Sequence, residues 1–392
     1  MNRYQRYLHL AAEVIHDYQG SEPFSNHIKR FFSLHKTLGS RDRKQISECC
    51  YSFFRTGFLL DDIEPEHCVA ASLFLVNQSP QSILENLYPH WSAAVSLSFP
   101  EKAKFIGLEW DMHKVFPWQS RLSNEIHINS FAENHLIQPD LFLRIRPGFN
   151  EIVLSKLKSC NINFESIHNT IRLQNGLKID EILEVNREVV VQDYSSQRIA
   201  DLFQYLSFKP TDIFDVWDLC AASGGKSIML KDYYPNTRLT VSDKRSSVLH
   251  NLKKRFDAAG LSYKSLLTLD LSYTLQTGEI NHKYDLIIAD VPCSGSGTWS
   301  RTPEWLRFFD INHLNEFSEL QYAIIKNSIP YLREGGYLLY STCSVFKEEN
   351  ELQVERICSQ FGLTCIAEKI IKGYEGKADT MYGALLKASS IQ

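Results

Sequence analysis

From about residue 210 onward short apolar runs return at regular intervals, with helical stretches filling the gaps, a rhythm that few folds accept. IFDVWDLCAA (213–222), RLTVSDK (238–244), SLLTLDL (265–271), YDLIIADV (284–291) and GGYLLYSTC (335–343) read as strands. GGKSIMLKDYY and SSVLHNLKKRFDAAG, the latter closed by Gly260, read as helices between them. Strands rich in Val, Ile and Leu that alternate with helices belong in a parallel sheet covered on both faces. Ligands of such sheets bind outside the carboxyl ends of the strands. Cys220, Asp243, Asp270, Asp290, Cys293 and Cys343 all fall at or just past those ends, so the chemistry of the chain is expected there.

A chain of 392 residues is too long for one ordinary core, and two or three domains are expected. Over 1–130 apolar residues recur at helical spacing, as in Ile46, Cys49, Cys50, Phe53 and Phe54. GSEPFSN (20–26) and SFPEK (98–102) read as loops in this helical N-terminal region. Residues 137–195 change texture. LFLRIRP alternates like a half-buried strand, a short helix follows over 151–158, and IRLQN and REVVVQDY read as strands, giving a small α+β subdomain. The sheet domain takes 196–392.

With 44% hydrophobic and 22% charged residues the composition is that of a globular protein. No apolar run approaches the roughly 18 residues of a membrane span, and MNRYQRYLHLAAEVIHDY lacks a signal-peptide core. A cytoplasmic protein with no membrane partner is the expectation. Nine scattered cysteines without a C-x-x-C pair suggest neither a disulfide framework nor zinc, and no metal is expected. The net charge of −4 argues against a general nucleic-acid coat, although residues 1–60 carry nine Lys and Arg against five Asp and Glu. That local excess suits phosphate contact and solvated helix faces equally well.

The turn CAASGGKS (220–227) is one residue short of a phosphate-binding P-loop, because Cys220 replaces the first glycine. With Asp290 as a magnesium-holding acid, a nucleotide triphosphatase is the competing reading. The missing glycine counts against it, since that position lets backbone wrap phosphates. A glycine turn for a cofactor without phosphate, such as adenosine with a charged amino-acid tail, fits better. Asp243 would take the ribose hydroxyls and Asp270 the adenine edge. Each aspartate alone reads as well as a helix N-cap; three at successive strand ends favour a site. DVPCSGSG (290–297) adds a second cysteine on a tight turn, where Pro292 fixes φ before Cys293 and Gly295 and Gly297 allow close backbone approach. In LLYSTCSVFKEEN (338–350), Cys343 follows a buried strand, and Glu348, Glu349 and Asn350 read as the start of a helix that would activate the thiol. A lone free cysteine is more often a small buried hydrophobe.

Together DLCAASGGK, DVPCSGSG and YSTCSVFKEENELQVE, in this order and spacing, resemble the RsmB/NOP/Sun family of S-adenosylmethionine-dependent RNA cytosine-C5 methyltransferases. The resemblance covers about 185–390, with VVVQDYSSQRIA as lead-in. It is looser over 137–184, where the family carries an RNA-recognition-like subdomain, and SRDRKQISECCYSFFR is weakly similar to the NusB-like extension of the ribosomal members. It implies an α/β fold built on a Rossmann-like class I methyltransferase sheet. It also implies cofactor contacts from Cys220, Ala221, Ala222, Ser223, Gly224, Gly225, Lys226, Asp243, Asp270 and Asp290. Cys343 becomes the nucleophile and Cys293 the residue that assists product release. Two departures stand out. Ser223 replaces the usual proline, and Val248 stands where an arginine is common, with Arg245 or Lys244 as substitutes.

That chemistry accounts for a bare thiol at the strand end. Carbon 5 of cytosine is a poor nucleophile until a thiolate adds to carbon 6. Asp290 would meet the N3 edge of the base and Cys293 would act as base or relay. A target base must leave its stack, which favours single-stranded or looped RNA. GTWSRTPEWLRFF (297–309) would offer Trp299, Arg301 and Trp305 as a substrate wall, although both tryptophans read equally well as core. A monomer acting on small-subunit ribosomal RNA is expected, with transfer RNA as the alternative.

Overall fold

A computed structural model describes residues 1–61, 64–276 and 278–389. They pack as two units. The first comprises residues 1–122, 127–138 and 298–311, and the second comprises 123–126, 139–297 and 312–392. No helix among the described residues is long and apolar enough to cross a membrane.

The first unit is carried by helices, among them Arg3–Asp17, Phe24–Leu34, Ser40–Arg55 and Pro65–Val76. The helical stripe read from sequence faces its core, with Ile46, Cys49, Cys50 and Phe54 all buried. SFPEK is a helix start and not a loop. Ser98 and Glu101 form a reciprocal capping box around Pro100, and the helix runs Phe99–Phe105. Residues 298–311 belong to this unit. Arg55 donates to the Ser300 carbonyl at 2.7 Å, Arg307 pairs with Asp61 at 2.7 Å, and the Phe24 N–H donates to Glu304 at 3.2 Å.

In the second unit β1 (Leu141–Ile145), β2 (Phe164–Ile167), β3 (Thr170–Leu173) and β4 (Val189–Val191) form an antiparallel sheet in the order β2-β3-β1-β4. The helix Asn150–Ser159 closes an apolar core that includes Leu143, Val153, Leu157 and Ile171. Arg144 of β1 and Arg146, just past its end, reach Asp232 at 2.5 and 3.0 Å. Asp232 lies on the helix Gly225–Tyr233, so buried ion pairs tie the small sheet to the large one. Breaking such a pair from one side leaves a buried charge uncompensated.

The large sheet contains β5 (Asp215–Asp218), β6 (Arg238–Asp243), β7 (Ser265–Thr268), β8 (Tyr284–Asp290), β9 (Leu332–Thr342), β10 (Leu363–Lys372) and β11 (Thr380–Ala388). Its order is β10-β11-β9-β8-β5-β6-β7. All neighbours are parallel except those of β11, which runs against both β9 and β10. Val216, Ile288, Leu339 and Leu385 fill the core under the helices with almost no exposure, as two-sided apolar strands require. Register sets the functional edge. Asp218 is level with Ile288 and Val241, and Asp290 with Ser341, so the carboxyl ends of β5, β6, β8 and β9 open on one side.

Candidate active site

The glycine turn follows β5 directly. Ala222 takes a left-handed φ of 46°, and its N–H is held by Asp243 Oδ2 at 3.1 Å. Gly224, at φ 84°, sits where an added Cβ would press on Leu252 at 3.0 Å, so glycine is needed there for both conformation and space. Ser223 is tied to the neighbouring helix. Its carbonyl and hydroxyl accept from Arg255 at 2.9 and 2.8 Å, and Arg255 Nε donates to Asn186 at 2.9 Å. The serine that departs from the family's proline thus fixes the turn by hydrogen bonding. Arg255→Ala should free the turn and weaken cofactor affinity about tenfold, the worth of one charge-assisted hydrogen bond. Calorimetric titration with S-adenosylmethionine checks this.

Four aspartates surround the turn. Asp243, at the end of β6, is buried and also accepts from the Arg245 N–H and Nε at 2.9 and 3.1 Å. Arg245 therefore folds back on the acid. Asp270, two residues past β7, is exposed, and its Oδ1 is held by the Ser272 N–H and hydroxyl at 3.0 and 2.5 Å. Those bonds lower its pKa, the Ser272 hydroxyl most. Asp290 joins β8 to β9 and to the helix after the glycine turn: Lys226 Nζ on that helix lies 2.6 Å from its Oδ2, and Ser341 of β9 donates to its Oδ1 at 2.9 Å. Lys226 is engaged by this acid instead of standing open to a cofactor carboxylate.

The fourth is Asp218, the last residue of β5, which sequence reading passed over as strand interior. Ser227 donates to its Oδ2 at 2.6 Å, while its Oδ1 is buried with no hydrogen-bond partner. Burial pushes its pKa up to about 7, against the pull of the Ser227 bond.

A cleft of about 310 Å³ runs along this edge past Cys220, Asp243, Asp270, Asp290, Pro292 and Cys293. A recess beneath the glycine turn carries Asp218, Lys226 and Arg255. This lining fits S-adenosylmethionine, whose sulfonium and ammonium are cations and whose ribose and adenine need acceptors. The orphaned Asp218 oxygen is the acceptor such an ammonium would satisfy. A nucleotide triphosphate fits poorly, because four carboxylates repel its phosphates and the Ala222 N–H is already taken by Asp243. Among the described residues no cluster of His, Cys, Asp or Glu has the arrangement of a metal site.

At the far end of the cleft the two predicted cysteines meet. Cys293 Sγ lies 3.3 Å from Cys343 Sγ. The hydrogen bond with Cys343 is the main reason the Cys293 thiol is held well above its ordinary pKa, with burial second. Cys293 is accordingly held as S–H. Burial also raises the Cys220 thiol, with Asp218 beside it, so this third cysteine is a neutral packing group. The turns are closed by glycine where the sequence placed it. Gly295 has φ 71°, and at Gly297 a Cβ would stand 2.0 Å from the Thr380 carbonyl and 2.9 Å from that of Cys343.

Two readings need correction. The helix behind Cys343 starts at Glu351, not at Glu348, so no helix N-terminus adjoins the thiol. Residues 347–350 form turns and Glu349 points inward, because the chain first closes onto the loop of Cys293. Trp299 is 1% exposed and packs on Phe309, Trp118 and Phe116 at centroid distances of 4.9, 5.6 and 6.2 Å. It is a core ring of the helical unit, unavailable for stacking on a base, since aromatic spacing alone does not reveal which face is buried. Trp305 is half-buried and Arg301 exposed.

Comparison with known proteins agrees with this geometry. Residues 203–368 match the 16S rRNA methyltransferase RsmB/F family. The ribosomal RNA small subunit methyltransferase B of Proteus mirabilis is 30% identical over 246 residues, 59% of this chain and 54% of that one. The chain spans about half the length of the curated relatives it matches. Among solved structures, PH0851 superposes with a TM-score of 0.70 over 98% of this chain and 99% of its own, at 16% identity. NSun6 from Pyrococcus horikoshii, solved with SFG, gives 0.58 over 71% and 97%, at 14% identity. The superpositions show that the chain shares its fold with these proteins.

Proposed function

We propose, on the match of residues 203–368 to the RsmB/F family, that the chain is an S-adenosylmethionine-dependent RNA cytosine-C5 methyltransferase acting on small-subunit ribosomal RNA. The observation that carries this reading is the pair of sulfurs 3.3 Å apart at the end of an acidic cleft. A triphosphatase has no use for such a pair.

When bound, the cofactor supplies an electrophilic methyl group. The chain does the rest. Cys343 adds to carbon 6 of the flipped cytosine, its thiolate forming the C–S bond and making carbon 5 nucleophilic. Asp290, fixed by Lys226 and Ser341, meets the N3 edge of the base as charge shifts there. After methylation the proton on carbon 5 leaves to a base, the carbon–sulfur bond breaks, and Cys343 departs as thiolate. Cys293, a thiol within hydrogen-bond distance, serves that release as relay. Asp243 and Asp270 would hold ribose and adenine, and Asp218 the ammonium. Names of relatives favour ribosomal over transfer RNA. A chain with nine cysteines and no paired spacing suits a reducing compartment, and we place it in the cytoplasm as a monomer.

Bisulfite sequencing of total RNA from cells with and without the gene tests the substrate. Loss of one or a few methylcytosines in small-subunit ribosomal RNA is expected. Loss confined to transfer RNA would overturn the ribosomal assignment, and unchanged methylation would overturn the activity. On the purified protein, calorimetry should show S-adenosylmethionine binding at micromolar strength and no magnesium-dependent ATP binding.

A further inference from the structure

The carboxyl group of Glu349 has 0% exposure and four hydrogen-bond donors around it. The Ser294 N–H and the Gln321 amide donate to Oε1, both at 2.9 Å. The Ser294 hydroxyl donates to Oε2 at 2.5 Å, and the Ser344 hydroxyl donates to the same oxygen. Ser294 is the residue after Cys293 and Ser344 the residue after Cys343. One side chain therefore holds both cysteine loops, each at the position next to its sulfur. Around it Ser296 bridges the same loops, its hydroxyl lying 3.2 Å from that of Ser344 and accepting the Val345 N–H at 2.9 Å. Asn350 secures the far side, accepting from Thr342 at 2.6 Å and donating to the Ser344 carbonyl at 3.0 Å.

A buried carboxylate is expensive unless its lone pairs are filled, and here every donor comes from the two loops or from Gln321, which also holds the Pro292 carbonyl at 3.0 Å. The arrangement closes only when the loops are in register. We propose that Glu349 is a positioning residue that clamps the Cys293 and Cys343 loops together and so fixes the approach of their two sulfurs. Its consequence for catalysis rests on the methyltransferase reading; the clamp itself does not.

The sulfur separation has a direct chemical readout. Diamide takes the two thiol hydrogens onto its azo nitrogens and is reduced to the hydrazine as one sulfur–sulfur bond forms, near 2.05 Å. Peptide mass spectrometry after timed diamide exposure measures how fast Cys293 joins Cys343. The decisive comparison is Glu349→Gln against Glu349→Ala. Both remove the charge, but glutamine keeps an acceptor for the N–H donors and an amide that the serine oxygens accept. Glu349→Gln should cross-link at close to the wild-type rate and Glu349→Ala roughly tenfold more slowly, the scale set by loss of sub-ångström alignment. Equal rates in the two variants overturn the clamp. If Glu349→Ala does not fold, as its melting curve would show, Ser294→Ala decides: slowed cross-linking supports the clamp and an unchanged rate overturns it. In methylation assays the same order should appear in kcat, with KM for cofactor and RNA unchanged. A slowed cross-link in a protein whose wild type methylates no RNA supports the clamp and overturns the activity reading.

Discussion

Cys343→Ala should abolish methylation, by roughly 10^4-fold or more as for other covalent nucleophiles, and should leave no protein covalently attached to RNA. Cys293→Ala should behave differently in kind. Attack by Cys343 remains available, but the relay 3.3 Å away is gone, so the adduct should accumulate as a species that survives a denaturing gel. The double variant should show none. The opposite assignment has a chemical precedent, because a cysteine in the D-x-P-C position is the nucleophile of the DNA enzymes that methylate cytosine. That assignment predicts trapping by Cys343→Ala and none by Cys293→Ala. The hydrogen bond between the sulfurs, helped by burial, raises the pKa of Cys293, which counts against attack by that sulfur. A thiol adjoining the nucleophile is suited to release and poorly suited to attack.

What was legible in the chain was whatever depends on local pattern. Two-sided apolar strands identify themselves, and a residue at their carboxyl end inherits its place from the sheet. That is why Asp243, Asp290, Cys293 and Cys343 could be put on one edge before any coordinates. Residues that act through distant partners left no such trace. Arg255 stabilises the Ser223 turn from 32 positions away, in the middle of an ordinary amphipathic helix. Glu349 lies in a K-E-E-N run that has the composition of a solvated helix start, yet it is fully buried. Nothing local distinguishes a carboxylate facing water from one facing four donors. The strand β10 was also missed, for a different reason. It pairs on one side only, and Thr364, Cys365 and Ile366 are exposed, so its apolar signal is diluted as edge strands commonly are. Trp299 shows the converse error, where a motif rich in aromatics and arginines was given to a ligand and the core had the better claim on the ring.

Asp218 should make the protein less stable than its asparagine variant, and only above acid pH. In the folded chain its pKa is about 7, while in the unfolded chain an aspartate ionises near 3.8. Below the lower value both states are protonated and the residue costs nothing. Between the two values the unfolded state loses its proton first, so stability falls as pH rises, and above about 7 the loss is complete. Three pKa units correspond to roughly 4 kcal/mol, or a melting shift of about 10 °C for a unit of this size. Asp218→Asn keeps the acceptor for Ser227 and removes the ionisation. Its melting temperature should match that of the wild type near pH 3, exceed it increasingly from about pH 4 to pH 7, and hold a constant lead beyond. A full lead already present near pH 3, or none at pH 8, would refute the buried, high-pKa carboxyl. The same group ties stability to function. If the cofactor's ammonium satisfies the orphaned Asp218 oxygen, binding at pH 7 draws the carboxyl into its charged form and expels about half a proton. Calorimetry of the wild type in buffers of different ionisation enthalpy should therefore give different apparent heats. The asparagine variant should lose that dependence and bind S-adenosylmethionine more weakly, which marks Asp218 as a group kept at the expense of the fold it sits in.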